Sequence, residues 1–128
     1  MPAPKLTRLE FQIMESLWTG GDLSIREILE AVPGKRRPAY TTIQTTVYRM
    51  EEKGFVRRVR KVGNVHLFAA SISRNAAERR LIDELLGVFG GRPKAVMARL
   101  VETGELSLAD VQEVERTLRK LSEEEKKS

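Results

Sequence analysis

Two helix-start signals of the same kind lie close together near the beginning of this 128-residue sequence. Each is a capping box, in which a Thr or Ser stands three positions before a Glu and the two residues cap the first turn of a helix. The first pairs Thr7 with Glu10, and the second pairs Ser24 with Glu27. A Gly-Gly pair at residues 20–21 ends the first helix. The sequence therefore predicts two short amphipathic helices joined by a tight link.

The third predicted helix, residues 40–53, has a surface made of hydroxyl and amide side chains. Its buried side is formed by three apolar residues at helical spacing: Ile43, Val47 and Met50. Four neutral residues in its first half are candidates for contacts with DNA base edges: Thr41, Thr42, Gln44 and Thr45. Thr is a poor helix former, so this face indicates a role beyond helix formation. The alternative is an ordinary polar surface.

A basic β-hairpin is predicted directly after this helix. Two runs of β-forming residues, 55–61 and 65–70, flank a Gly-Asn turn at residues 63–64. Eight cations in the hairpin, in the third helix and in the loop before it are candidates for phosphate contacts: Lys35, Arg36, Arg37, Arg49, Arg57, Arg58, Arg60 and Lys61. Tyr48 also points outward from the helix, where we expect a contact with the DNA backbone. The alternative for the cations is a solvated basic face.

The excess positive charge is confined to the amino-terminal part of the chain. Residues 1–72 contain 12 Lys and Arg against 7 Asp and Glu, whereas residues 73–128 contain 11 of each. Residues 35–66 contain nine Lys and Arg residues but only two carboxylates. A local excess of this size suits a polyanion, and we expect double-stranded DNA as the partner.

The composition argues against several classes of function. The chain has no Cys and one His, so it has no thiolate ligands and few groups for acid-base chemistry. We therefore expect no metal, no cofactor and no enzymatic activity. No apolar run approaches the roughly 20 residues that cross a bilayer, and the chain starts without an apolar signal segment. These features predict a cytoplasmic protein with no membrane insertion.

The order helix, helix, polar-faced helix and basic hairpin is that of a winged helix-turn-helix. We therefore predict a mostly α fold with a small β-hairpin wing, in which residues 1–72 form a DNA-binding domain. We predict that residues 73–128 form a helical dimerisation domain. The rival interpretation is a winged-helix adaptor that binds another protein and reads no DNA sequence.

Three more helices are predicted after residue 72, over residues 75–89 and 93–102 and after a cap formed by Ser107 and Asp110. The charged segment 123–127 is expected to fray. Seven apolar residues at helical spacing are candidates for a dimer seam: Leu81, Leu85, Phe89, Val111, Val114, Leu118 and Leu121. The alternative is a monomeric helical cap folded onto the winged domain.

Three blocks in this order, LTRLEFQIMESLW, YTTIQTTVYRMEEKGFV and LVETGELSLADVQEVERTL, resemble the penicillinase-repressor family. The resemblance implies a winged helix, a three-helix dimerisation arm, and a homodimer that represses resistance or related operons at a dyad resembling TACA and TGTA. Its base-contacting positions match the four candidates of the third helix. Copper-responsive relatives have a cysteine-rich tail, which this chain lacks.

The resemblance also implies inactivation by a membrane sensor protease that cuts the dimerisation arm. The matching peptide bond joins Arg99 to Leu100. Staphylococcal members are cut between Asn and Phe, so this chain departs from the family pattern at the cleavage position. The inducing signal therefore does not follow from the resemblance.

Overall fold

The computed structural model describes residues 6–127, and within that range it contains six helices and one two-stranded antiparallel sheet. The elements follow one another as α1 (Arg8–Gly20), α2 (Ile25–Ala31), α3 (Tyr40–Lys53), β1 (Val56–Val62), β2 (Val65–Ala70), α4 (Arg74–Val88), α5 (Pro93–Glu102) and α6 (Leu108–Lys127). This order confirms the predicted fold class. The expectation that the chain starts without a signal segment rests partly on residues 1–5, outside the described part. No described helix is both long and apolar enough to cross a membrane.

Both predicted capping boxes are formed at the starts of α1 and α2. The backbone N–H of Thr7 donates to Glu10 Oε1 at 2.8 Å, and that of Glu10 donates to Thr7 Oγ1 at 3.2 Å. Ser24 and Glu27 form the same reciprocal pair, at 3.0 and 3.2 Å. Donation from the Ser24 backbone and side chain to the carboxylate lowers the pKa of Glu27. Local sequence therefore sets where both helices begin.

The core of the winged part is built from α1, α2, α3 and the hairpin. Twelve buried apolar side chains form it: Ile13, Met14, Leu17, Ile25, Ile28, Val32, Ile43, Val47, Met50, Phe55, Val56 and Phe68. The predicted buried side of α3 is therefore confirmed. Burial of each large side chain contributes about 1.5–3 kcal/mol, so this cluster is the main stabilising feature of the winged part.

The hairpin β1–β2, referred to below as the wing, turns at Gly63, whose φ is 61°. Its register shifts between Arg58 and Arg60, which leaves a β-bulge in β1. On its other side β2 pairs with the link between α1 and α2. There the N–H of Leu23 donates to the Phe68 carbonyl at 3.0 Å, and the N–H of Phe68 donates to the Leu23 carbonyl at 2.8 Å. This bridge, which the sequence analysis does not predict, attaches the wing to the helices.

The chain divides into two compact units, and the second begins at Glu84, within α4. The start of α4 belongs to the first unit because Ala77 is buried and Arg74 forms an ion pair with Glu15 at 2.6 Å. The guanidinium of Arg80 also lies 5.7 Å from the Phe55 ring centroid. The domain boundary placed between residues 72 and 73 is a functional division, and it stays a prediction.

The second unit contains α5 and α6 at the predicted positions. The cap of α6 is formed as expected, because the N–H of Ser107 donates to Asp110 at 2.9 Å and the N–H of Asp110 donates to Ser107 at 3.1 Å. The segment 123–127, expected to fray, is helical to Lys127. Glu and Lys are good helix formers, and Lys126 and Lys127 carry the charge that a helix C-terminus favours. No residue of α5 or α6 is buried in the described chain.

Candidate nucleic-acid interface

The first two turns of α3 carry the four candidate base-reading residues. Thr41, Thr42 and Thr45 are exposed, whereas Gln44 is half-buried. Ala39 at the N-cap supplies no side-chain acceptor to the first backbone N–H groups of the helix. Uncapped N–H groups at a helix start attract phosphate. The structure therefore brings together neutral donors and acceptors at one end of α3, and their role in base readout stays a prediction.

Two of the candidate cations in the wing have exposed side chains with no partner in the described part of the chain. Arg60 and Lys61 lie beyond the bulge, and their side chains form no hydrogen bond or ion pair with the other residues of the range 6–127. Arg57 is also exposed, but its Nη1 donates to the Ala70 carbonyl at 2.7 Å. Arg60 and Lys61 are therefore the wing cations with the most freedom to meet a phosphate.

Four more cations lie on or before α3. Lys35, Arg36 and Arg37 are exposed in the loop between α2 and α3, and Arg49 is exposed on α3 itself. None of these four forms an ion pair with a carboxylate in the described chain. Three of them directly precede α3 in the chain, and the contact of all four with phosphates stays a prediction.

Arg58 differs from its neighbours because its side chain packs against α3. Its Nε donates to both carboxylate oxygens of Glu51, at 3.0 and 3.2 Å. Its guanidinium carbon lies 5.0 Å from the Tyr48 ring centroid and 5.4 Å from that of Phe68. The side chain keeps 37% of its exposure. Arg58 therefore fastens the wing to the helix.

Tyr48 and Gln44 form a contact that the sequence analysis missed. Gln44 Nε2 donates to the Tyr48 hydroxyl at 3.2 Å. The Tyr48 ring in turn lies 6.4 Å from the Phe68 ring. The signal was present in the sequence, because residues four apart on a helix lie side by side.

A buried ion pair connects the beginning of α1 to the end of α3. Glu10 is 3% exposed, and its Oε2 accepts from Lys53 Nζ at 2.9 Å. Burial raises the pKa of Glu10, but hydrogen bonds from Thr7 and Lys53 and the charge of Lys53 outweigh it, so the pKa lies below its usual value. The charge of Lys53 is therefore paired with Glu10 within the first unit.

The candidate dimer residues lie largely in the open. Val114, Leu118 and Leu121 of α6 are 47%, 59% and 53% exposed, and Val111 is half-buried. In α4, Leu81 and Leu85 are exposed, and Phe89, in the turn directly after α4, is half-buried. In the single chain, Val114, Leu118 and Leu121 therefore form a solvent-exposed apolar stripe along one face of α6.

The candidate cleavage bond lies inside α5. The side chain of Arg99 is 73% exposed and contacts Glu102 at 3.4 Å, and Leu100 is also exposed. The carbonyl of Arg99 accepts from the N–H of Thr103 at 3.0 Å and from its hydroxyl at 2.9 Å. A protease would have to unwind this turn to reach the peptide bond.

Comparison with known proteins gives the family. The profile of the penicillinase repressor family matches residues 6–120 of this chain. The chain belongs to the penicillinase repressor family. Members of this family are transcriptional regulators and not enzymes. Within residues 6–127 no cluster of three His, Asp or Glu side chains is arranged to hold a metal ion.

The chain is similar to individual proteins over most of their length. It is 31% identical to the transcriptional regulator BlaI of Mycobacterium tuberculosis, over 77% of this chain and 75% of that one. It is 20% identical to the penicillinase repressor of Staphylococcus aureus, over 92% and 94% of the two chains. Bordetella bronchiseptica BpsR, whose DNA binding is regulated by 6-hydroxynicotinic acid, superposes with a TM-score of 0.48 and 20% identity, over 96% and 79%. We infer nothing from that weak superposition.

Proposed function

We propose that this chain is a sequence-specific DNA-binding repressor that acts in the cytoplasm as a homodimer on a palindromic operator of a resistance or related operon. Residues 1–72 form the DNA-binding domain, and residues 73–128 form the dimerisation domain. The observation that carries this proposal is the neutral first half of α3, with Thr41, Thr42 and Thr45 exposed, in a chain where six of the candidate cations form no side-chain hydrogen bond or ion pair with the described residues: Lys35, Arg36, Arg37, Arg49, Arg60 and Lys61. Membership of a family of transcriptional regulators supports it.

The two kinds of side chain suit two kinds of contact. Gln can form two hydrogen bonds with an adenine edge, and the methyl group of Thr can pack against the methyl group of thymine. We assign these contacts to Thr41, Thr42, Gln44 and Thr45, in the major groove. Arg and Lys bind phosphates without regard to sequence. We assign phosphate contacts to the loop before α3, to Arg49 of α3, and to three cations of the wing: Arg57, Arg60 and Lys61.

Separate variants test the two assignments. The strongest binding site would first be selected from a random duplex library with the wild-type chain; we call it the selected duplex, and a scrambled duplex of equal composition is its control. Gln44→Ala and Thr45→Ala should each weaken binding of the selected duplex by about 1–3 kcal/mol and leave the scrambled duplex nearly unaffected.

The matched phosphate variants are Arg60→Ala and Lys61→Ala. Each should weaken both duplexes alike and lower the dependence of log Kd on log salt concentration by about one unit per protomer. If Gln44→Ala and Thr45→Ala weaken both duplexes equally, the assignment of α3 to base readout is wrong. A wild-type chain that selects no duplex would favour the adaptor interpretation.

The proposed dimer uses the apolar stripe of α6. A helix that leaves Val114, Leu118 and Leu121 between 47% and 59% exposed gains stability when a second copy covers them. A two-fold dimer would place two α3 helices at half-sites about 34 Å apart, so the operator should be palindromic. Sedimentation at micromolar concentration should give the mass of a dimer, and a monomer that binds a palindrome at full strength would contradict this part of the proposal.

We further propose that repression ends when a membrane sensor protease cuts between Arg99 and Leu100. The cut would separate α6 from the winged part and remove the gain from binding two half-sites at once, which reaches about a hundredfold. A chain that ends at Ala98 should repress far more weakly than the full chain. Equal repression by that truncated chain would contradict the proposal.

A further inference from the structure

We propose that Tyr48 and Arg58 are positioning residues for base readout, which orient the amide of Gln44 and lock the wing to α3. This inference rests on the proposed function. It is carried by a continuous set of contacts that runs from Gln44 through Tyr48 and Arg58 to Glu51.

The first contact leaves Gln44 able to read a base. The amide of Gln has two N–H groups and one carbonyl oxygen, and a bidentate contact with adenine uses one N–H and the oxygen. The Tyr48 hydroxyl accepts a hydrogen bond from the other N–H, with 3.2 Å between Gln44 Nε2 and the hydroxyl oxygen. The hydroxyl therefore satisfies the donor that the base does not need and restricts the rotation of the amide.

The second contact fixes Tyr48. The Arg58 guanidinium lies 5.0 Å from its ring centroid and 5.4 Å from that of Phe68, a buried residue of β2. A guanidinium over an aromatic face is attracted by the ring quadrupole. Two bonds from Nε to the Glu51 carboxylate set the position of the guanidinium along α3.

Three of the four residues in this set of contacts lie on one face of α3, which fixes their relative positions. Gln44, Tyr48 and Glu51 are spaced four and three residues apart, so they lie on the same face. Arg58 reaches that face from β1 immediately before the bulge. Beyond the bulge, the Arg60 side chain forms no hydrogen bond or ion pair in the described chain, so Arg60 offers a matched control.

The alternative is that these contacts only stabilise the fold. Tyr48 is 38% exposed and the Arg58 side chain 37% exposed. Exposed ion pairs contribute little to stability. The two explanations therefore differ in their predictions: a structural role lowers the melting temperature, whereas a positioning role lowers the preference for the selected duplex at unchanged stability.

The test is a double-mutant cycle on the full chain with the selected and scrambled duplexes as probes. Tyr48→Phe keeps the ring and removes the hydroxyl, and it should lower the ratio of the two affinities by about threefold to tenfold, as expected for one lost hydrogen bond. In a Gln44→Ala background the same substitution should leave the ratio unchanged, because Tyr48 acts through Gln44. An equal loss in both backgrounds would overturn the inference, since Tyr48 would then contact DNA itself. No loss in the wild-type background would overturn it as well.

Arg58→Lys retains the charge but not the planar guanidinium, so it should lower the same ratio while the affinity for the scrambled duplex and the salt dependence stay the same. Arg60→Lys is the control and should leave the ratio unchanged. If Arg58→Lys and Arg60→Lys both leave the ratio unchanged, Arg58 does not position the reading face and the inference fails.

A measurement without DNA separates this inference from the proposed function. Tyr48→Phe should shift the side-chain amide NMR signals of Gln44 in the free protein, and Arg58→Lys should shift them by less. Unshifted signals in Tyr48→Phe would overturn the inference whatever the DNA result. A wild-type chain that does not distinguish the two duplexes would contradict the proposed function even where the NMR shift is found.

Discussion

The two units of this chain use the same local signals but differ in what they bury. Both contain a helix opened by a reciprocal side-chain cap, formed by Ser24 and Glu27 in the first unit and by Ser107 and Asp110 in the second. In the first unit the capped helix packs into a core, whereas no residue of α5 or α6 is buried in the described chain. A cap therefore sets where a helix begins, while burial of its apolar face decides how much the rest of the chain stabilises it.

The largest expected difference between the units concerns truncation of an apolar side chain. Ile13 is fully buried, so Ile13→Ala should lower the free energy of unfolding of the first unit by about 2–5 kcal/mol. Leu118 is 59% exposed, so Leu118→Ala should change that free energy little. Urea unfolding followed by the fluorescence of Trp18, the one Trp of the chain, reports on the first unit. Equal losses in the two variants would mean that α6 packs into the core of the first unit.

The second expected difference concerns pH and the ion pair of the first unit. Because the folded-state pKa of Glu10 lies below its usual value of 4.5, the stability it contributes is present above that value and is lost as the pH falls through the lower folded pKa. Glu10→Gln should therefore cost about 1 kcal/mol at pH 7 and progressively less in acid. Urea unfolding from pH 7 to pH 3 checks this, with the exposed Glu30→Gln as the control. A cost that grows in acid would contradict the assignment.

The smallest expected difference concerns the two Ser caps. Ser24→Ala should lower the stability of the first unit by about 1 kcal/mol, seen in the Trp18 transition. Ser107→Ala should leave that transition unchanged and speed hydrogen exchange in the first turn of α6. If both variants moved the Trp18 transition equally, the units would unfold as one.

The sequence predicts the elements of this fold well because their signals are local. The capping boxes, the buried side of α3 and the wing turn all follow from spacing and residue type. The bridge from Leu23 to Phe68 and the pair of Glu10 with Lys53 join residues far apart in the chain, and no local pattern encodes them.

For the candidate site, the sequence predicts which side chains are polar or basic, and their contacts with DNA stay a prediction. It does not distinguish Arg58 from the other cations of the wing, whereas the structure holds the Arg58 Nε at Glu51. The spacing of Gln44, Tyr48 and Glu51 would have indicated a shared face of α3. The approach of Arg58 depends on the register of the hairpin and on its bulge, which a single sequence does not specify.

In the proposed function, the first unit reads DNA and the apolar stripe of α6 only holds two copies together. Leu118→Glu places a charge in that stripe, and Gln112→Glu adds the same charge on another side of α6. Fluorescence anisotropy with the palindromic selected duplex and with one half-site measures the result. The wild-type chain and Gln112→Glu should prefer the palindrome by about a hundredfold or more, and Leu118→Glu should bind both probes with the unchanged half-site affinity. A Leu118→Glu chain that keeps the preference for the palindrome would contradict the account.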